Sequence, residues 1–200
     1  MRRLVPLSTR RLLDVGCGRG DFGRALRAER PGLHVSGLEL TDWASVASTH
    51  LDDVRRLDIE RDDLGGLGQF DCITFNDVLE HLVDPWAALR RVLDHLQPGG
   101  FVIASSPNMR HMDVLKSLLL DKRFDYADSG VMDRTHLRFF TMHTFPEMFS
   151  AVGLQVQETG GLENHFTFPW KFRLLNMLLL GALHDARFMQ LYCVARKPPA

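Results

Sequence analysis

Cysteine is scarce in this sequence and never clustered. Cys17, Cys72 and Cys193 stand far apart, with no CxxC spacing. That argues against a disulfide framework and a thiolate zinc site, and suits a reducing, cytoplasmic setting. Neither sign of charge is in excess: 24 Lys and Arg face 25 Asp and Glu, for a formal net charge of −1. A nucleic-acid backbone is therefore not the expected main partner. Long apolar runs are also missing. The longest, Met177 to Leu183, falls far short of a bilayer span. The N-terminal MRRLVPLSTRRLLDV lacks the apolar segment of a signal peptide. No repeat, low-complexity tract or linker is visible, so residues 1–200 read as one domain.

What is present is an alternation of strand and helix. Short apolar runs at Arg11 to Val15, Leu33 to Leu40, Val54 to Ile59, Phe70 to Asn76 and Phe101 to Ser105 predict strands. Helices are expected at Asp21 to Glu29, Asp42 to Ser48 (capped by Thr41 or Asp42) and Pro85 to Leu96. Asp62 to Gln69 reads as a loop and Pro98-Gly99-Gly100 as a turn. The second half predicts helices at Met109 to Leu120, Thr141 to Ala151 and Trp170 to Leu183, with late strands at Leu154 to Glu158 and Phe188 to Ala195. Lys122 to Phe140 reads as an ordered loop. This order predicts an α/β fold of the doubly wound, Rossmann-like kind, with a mostly parallel seven-stranded sheet covered on both faces.

The stretch LLDVGCGRGDFG, Leu12 to Gly23, carries the functional signal. A strand runs into Gly16, Gly18 and Gly20, and a helix begins at Asp21. Glycine permits positive φ and close approach of a ligand, so this is the layout of a nucleotide site at the carboxyl edge of a parallel sheet. A GxGxxG dinucleotide fingerprint would need its third glycine at position 21, where Asp21 would repel pyrophosphate. The Lys-Ser/Thr pair of a P-loop is absent as well.

GxGxG after an acidic strand end resembles the first motif of the class I S-adenosylmethionine-dependent methyltransferases. The resemblance continues through Glu39-Leu40, Asp58-Ile59, FDCITFNDVLEHLVDP (Phe70 to Pro85) and LQPGGFVIASSPN (Leu96 to Asn108). It implies S-adenosylmethionine as cofactor, with Glu39 on the ribose hydroxyls and Asp58 and Ile59 near the adenine. Asp14, the Gly16, Gly18 and Gly20 loop, Asn76 and Asp77 would serve the methionine part, with Val78 and Leu79 as walls and Leu40 beside Glu39. Cys17 reads as a small packing residue. DRTHLRFFT (Arg134 to Thr141 with Asp133) resembles a segment of bacterial methyltransferases associated with glycan and polysaccharide biosynthesis. That likeness implies a small-molecule or glycan-linked acceptor.

An oxygen acceptor must lose a proton, so a general base is sought among His136, His81 and Asp133. His136 lies in a dense polar cluster beside Phe139 and Phe140, where Asp133 could orient it. Each histidine has a structural alternative: a helix-start residue for His81, a folded loop for His136. Asp77, Glu80 and Asp133 offer oxygen ligands, but spacing does not make them converge, so no metal is expected.

Residues 109–141 and 160–185 are expected as acceptor-side or packing insertions. The apolar Trp170 to Leu183 segment could pack on the sheet, form a homodimer face, or rest on a membrane surface with Lys171 and Arg173 outside. The first strand starts at Arg11, where relatives of the resembled family carry extra N-terminal helices. Closure by residues 121–140, a more open site, or a missing leader are the expectations there.

Two other functions compete with small-molecule methylation. A nucleic-acid amino-methyltransferase would show Asn-Pro-Pro-aromatic where this chain has Asn76-Asp77-Val78-Leu79, and Cys72 sits inside a strand rather than in a nucleophile loop. A protein methyltransferase, or a binding protein that kept the cofactor pocket without turnover, remains as the alternative.

Overall fold

The computed structural model describes residues 1–162 and 170–199. Seven strands form one sheet: β1 (Arg11–Val15), β2 (His34–Glu39), β3 (Asp53–Arg56), β4 (Phe70–Asn76), β5 (Leu96–Pro107), β6 (Gln155–Leu162) and β7 (Gln190–Arg196). Their order is β3-β2-β1-β4-β5-β7-β6. The first five pair in parallel, and β7 runs antiparallel between β5 and β6. Six α-helices accompany them among the described residues: α1 (Asp21–Glu29), α2 (Trp43–Ala47), α3 (Pro85–Leu93), α4 (Met112–Leu119), α5 (Thr144–Ala151) and α6 (Trp170–Leu178). This is the expected doubly wound α/β sheet.

Side chains alternate across the central strands, which explains why neither face is polar. Leu13, Ile73 and Val102 point to one face and pack with Leu89 and Val92 of α3 and Phe145 and Phe149 of α5. Leu12, Cys72 and Ile103 point to the other, with Leu26 of α1 and Ala47 of α2. The α1 side packs very closely. A Cβ on Gly37 would lie 2.6 Å from the Cys17 sulfur.

Several expected boundaries move, for local reasons. β3 stops at Arg56, because the Asp58 amide turns to the Asp62 carboxylate at 2.7 Å. The expected Pro98–Gly100 turn is absorbed into β5, which begins at Leu96 opposite Phe70. The ladder then shifts register between Phe70 and Cys72, and Gly99 takes φ +77. α3 therefore ends at Leu93. α2 has no side-chain cap from Asp42; the Thr41 hydroxyl accepts from the Trp43 amide at 3.3 Å. α4 starts at Met112 rather than Met109, with the His111 ring accepting from the Asp113 amide at 3.4 Å. α5 starts at Thr144, β6 extends to Leu162, and β7 begins at Gln190. α6 ends at Leu178, not Leu183, and Leu180 then takes φ +53. Residues 163–169, within the expected 160–185 insertion, lie outside the described residues. Among the described residues no helix is long and apolar enough to cross a membrane.

The chain travels β1–β2–β3 outward and returns to place β4 on the other side of β1. Val15 and Phe75, the last apolar residues of those two strands, are register partners. Ligands bind at such a reversal of strand order. The layered core predicts that Ile73→Ala, fully buried, lowers unfolding free energy by about 2–5 kcal/mol in urea titration.

Candidate active site

The glycine loop leaves β1 at the reversal point. Gly16, Gly18 and Gly20 take φ of +68, +54 and +79. The amides of Gly16 and Cys17 donate to the Leu38 carbonyl at 2.8 and 3.0 Å, which ties the loop to the end of β2. A Cβ on Gly16 would lie 2.4 Å from Val78 Cγ2, whereas one on Gly18 would enter open space. The Glu39 carboxylate secures the same loop. It accepts from the Gly18 amide at 2.8 Å and from the Thr41 amide and hydroxyl at 2.9 and 2.7 Å. A carboxylate has about four lone-pair sites, so Glu39 retains capacity for a ligand hydroxyl.

Asp14 lies beneath the loop rather than in the cleft. It is buried and accepts from Thr74 Oγ1 at 2.7 Å and Asn76 Nδ2 at 3.2 Å. Burial pushes its carboxyl up to about 7, against the lowering effect of those two donors. Asn76 Oδ1 is buried without a hydrogen-bond partner, so an acceptor remains for a ligand's donor. Cys17 packs on Gly37 and its thiol is pushed up to about 12 by burial. It lines neither cavity described below and carries no activated thiolate.

A cleft of about 430 Å³ opens above the strand ends. Leu79, expected as one of its walls, is instead fully buried in the core beneath it. Gly16, Glu39, Leu40, Asp58, Ile59, Asp77 and Val78 line it, together with Thr41, Glu60 and His81. Asp58 Oδ1 accepts from the Glu60 amide at 2.8 Å. The lining has four carboxylates and no Lys or Arg. Such a wall favours a sulfonium cation and sugar hydroxyls and disfavours pyrophosphate. The residues present therefore fit an adenosyl sulfonium. An open polar hollow of about 500 Å³ lies elsewhere, around Arg27, His34 and Asp52 near the start of β2. It is remote from the strand reversal.

Asp77 divides the cleft from a second cavity of about 190 Å³. It holds φ +54, a conformation that costs a non-glycine residue energy. Ser105 Oγ accepts from its amide at 3.2 Å and donates to its carboxylate at 2.9 Å. Gln190 Nε2 donates to its other oxygen at 2.5 Å. The second cavity is lined by Asp77, Glu80, His81, Asp133, His136 and Gln190 with apolar Val131, Pro107 and Met189.

Two imidazoles meet here, with ring centroids 4.8 Å apart. His136 Nδ1 lies 3.0 Å from the Val131 carbonyl, which can only accept, so that nitrogen carries the proton. The Thr135 hydroxyl donates to Asp133 Oδ1 at 2.7 Å. His81 Nδ1, 3.1 Å from that hydroxyl and 3.3 Å from the Thr135 carbonyl, must then be the donor. Both Nε2 atoms are left with free lone pairs. Asp133 does not orient His136, as expected from the sequence. It fixes Thr135, and through Thr135 it orients His81.

Glu80 completes the group. Its carboxyl is buried with no hydrogen bond of ordinary geometry to either oxygen, and only its own amide and the Ser106 hydroxyl stand close enough to favour the charged form. Burial pushes it up to about 8, with the Asp77 charge adding to the shift. Ligand atoms of Glu80, His81 and His136 lie within 4.8 Å of one another. The set can relay a proton or hold a divalent cation. Its backbone also acts: the Glu80 carbonyl accepts from the Leu137 and Arg138 amides at 2.7 and 3.0 Å, pinning the loop that carries His136.

Residues 2–159 match the family model described as a methyltransferase domain. The ubiquinone biosynthesis O-methyltransferase of Marinobacter nauticus is 30% identical over 171 residues, 79% of this chain and 69% of that protein. The Aeromonas salmonicida protein of the same name is 27% identical over 188 residues, 90% of this chain and 74% of that one. A S-adenosylmethionine-dependent methyltransferase from Mesorhizobium loti shares the fold with a TM-score of 0.65 at 19% identity, covering 98% of this chain and 95% of that one. This chain belongs to the S-adenosylmethionine-dependent methyltransferases. The Marinobacter and Aeromonas relatives are named for ubiquinone biosynthesis, not for the glycan-associated subgroup that the DRTHLRFFT segment resembles.

Sequence reasoning weighed Glu80 only as a ligand without partners, and it passed over Gln190. Glu80 had a signal in its place beside His81 in VLEHL; Gln190, brought in by the last strand, had none. Two predictions arise from this methyltransferase site. Gly16→Ala forces a Cβ into Val78 at positive φ, and calorimetric titration should show S-adenosylhomocysteine affinity falling at least about tenfold. Asp14 is raised above its unfolded value, so the native state holds a proton that the unfolded chain has lost between about pH 4 and 7. Stability therefore falls as pH rises through that window. Asp14→Asn should flatten this slope in thermal melts taken at several pH values.

Proposed function

We propose that this methyltransferase transfers the methyl group of S-adenosylmethionine to a hydroxyl of a small-molecule acceptor held between Asp77 and His136. The observation that carries the reading is the pair of imidazoles with free Nε2 atoms in a cavity that shares Asp77 and His81 with the cofactor cleft. Bound S-adenosylmethionine supplies an activated methyl group on a sulfonium. Glu39 and Asp58 hold the ribose and adenine side, with Leu40, Ile59 and Val78 as walls. The loop at Gly16, Gly18 and Gly20, over Asp14 and Asn76, would seat the methionine part, and the Asp77 carboxylate would offer its charge to the sulfonium. Cys17 serves by packing.

His136 takes the proton from the acceptor hydroxyl. It is buried, and its loop is latched to Glu80. His81, steadied by Asp133 through Thr135, orients the acceptor. Apolar Val131, Pro107 and Met189 suit a ring or chain better than a glycan, and the relatives named for ubiquinone biosynthesis support that preference. We read residues 1–200 as one domain, with 109–141 covering the acceptor side, and we place the enzyme in the cytoplasm, where three unpaired cysteines are at home.

A second reading has an observation of its own. The buried Glu80 carboxyl and two Nε2 atoms match a two-histidine, one-carboxylate set, with each ring's other nitrogen held by a backbone carbonyl or hydroxyl. A chelator separates the readings. Activity on a panel of small hydroxyl-bearing acceptors that survives exhaustive EDTA favours the imidazole base; loss restored by a divalent cation favours the cation.

Under the first reading, His136→Ala should lower kcat about a hundredfold or more with S-adenosylhomocysteine affinity unchanged. His81→Ala should mainly raise KM for the acceptor. Full activity of the His136 variant would sink its assignment as base.

A further inference from the structure

We propose that α6 and the turn that follows it dock this protein on an anionic membrane surface. Trp170, Leu174, Met177 and Leu178 stand at i, i+4, i+7 and i+8 and so share one face of the helix. They are 70%, 45%, 65% and 69% exposed. The other side is held by the protein at Phe172 and Asn176, while Leu175 and Leu179 remain half-exposed. Phe172 is buried, and Asn176 Oδ1 turns in to accept from the Leu183 amide at 2.9 Å. Lys171 and Arg173 flank the apolar stripe on its two sides. Long cationic side chains in that position reach outward to headgroups while the stripe enters the acyl boundary. Leu180, just past the helix, is 96% exposed at φ +53. A leucine held in a strained conformation and fully in water gains nothing within this fold.

Charge selects the occupant. Residues 170–184, WKFRLLNMLLLGALH, contain two cations and no Asp or Glu, in a chain whose net charge is −1. The next acid, Asp185, is taken by Arg110 at 2.7 Å. A second copy applied to this face would add two more cations and, from residues 170–184, no acid to answer them. Anionic headgroups supply that counter-charge, at a gain of about fivefold in partitioning per cation. The nine-residue helix lies in the interface plane; it is far too short to span. Docking also has a place in the architecture. Asn108 Nδ2 donates to the carbonyls of Asp185 and Phe188, tying the segment after α6 to the Met189–Gln190 wall of the second cavity. The docked surface therefore stands beside that cavity.

The test is sedimentation of the full chain with phosphatidylglycerol vesicles and, separately, with phosphatidylcholine vesicles. The proposal expects binding to phosphatidylglycerol that weakens with added salt, and at least about tenfold less on phosphatidylcholine. The double variant Leu174→Asp/Leu178→Asp and the double variant Lys171→Glu/Arg173→Glu should each lower phosphatidylglycerol partitioning at least about tenfold. Both should keep S-adenosylhomocysteine affinity, which verifies folding. Absence of binding to phosphatidylglycerol, or equal partitioning of the Leu174/Leu178 variant, would overturn the proposal. So would a solution dimer that this variant dissociates and that ignores vesicles, since the face would then belong to a second copy.

Discussion

The contact between Gly16 and Val78 sets the distance between the two halves of the site. A side chain at position 16 would have to occupy space 2.4 Å from Val78 Cγ2. Only a glycine lets the loop after β1 and the turn after β4 lie against one another. That closeness brings the carboxylate-lined cleft up to Asp77, and Asp77 up to the second cavity. Parallel pairing of β1 with β4 supplies the framework, and the glycine supplies the last few ångströms. Methyl transfer demands such an economy, because the donor carbon and the acceptor atom must be held in line within van der Waals reach.

Backbone hydrogen bonds carry much of what holds the turn bearing Glu80 and His81 in place. Glu60 accepts from the Val83 and Asp84 amides at 3.2 and 2.8 Å, joining the turn to the cofactor side. The Glu80 carbonyl joins it to the acceptor-side loop. Residues 79–84 are thus clamped from both directions. A clamped turn keeps His81 in one orientation, the preorganisation that its proposed role as a positioning group calls for.

The first half of the chain was legible in its sequence because its signals are local. Strand runs, the Gly16–Gly20 spacing and Pro85 in a first turn each depend on neighbours, so β1, β4, α1 and α3 appear close to where they were expected. What escaped depends on partners far along the chain. Leu96 joins β5 because Phe70 is opposite it, which turns an expected Pro-Gly-Gly turn into irregular strand. Asp133 was given to His136 from spacing, but the loop folds so that Thr135 takes the carboxylate. The role of Glu80 as the hub of two imidazoles needs His136, 56 positions away, to arrive over it. Gln190 reaches Asp77 only because β7 inserts between β5 and β6.

The two cavities are built from different segments and share only Asp77 and His81. The cofactor cleft uses the ends of β1 and β2 and the loops after β3 and β4. The other cavity draws on Pro107, on Gly130 to His136, and on Met189 and Gln190 at the start of β7. With the acceptor in the second cavity, as proposed above, divergence in those later segments reshapes what is methylated while the cofactor cleft is inherited intact. On that reading a gene duplicate has a short route to a new acceptor, through a few codons around Val131 and Met189. The route stays open as long as the residue at the boundary, Asp77, keeps its left-handed turn.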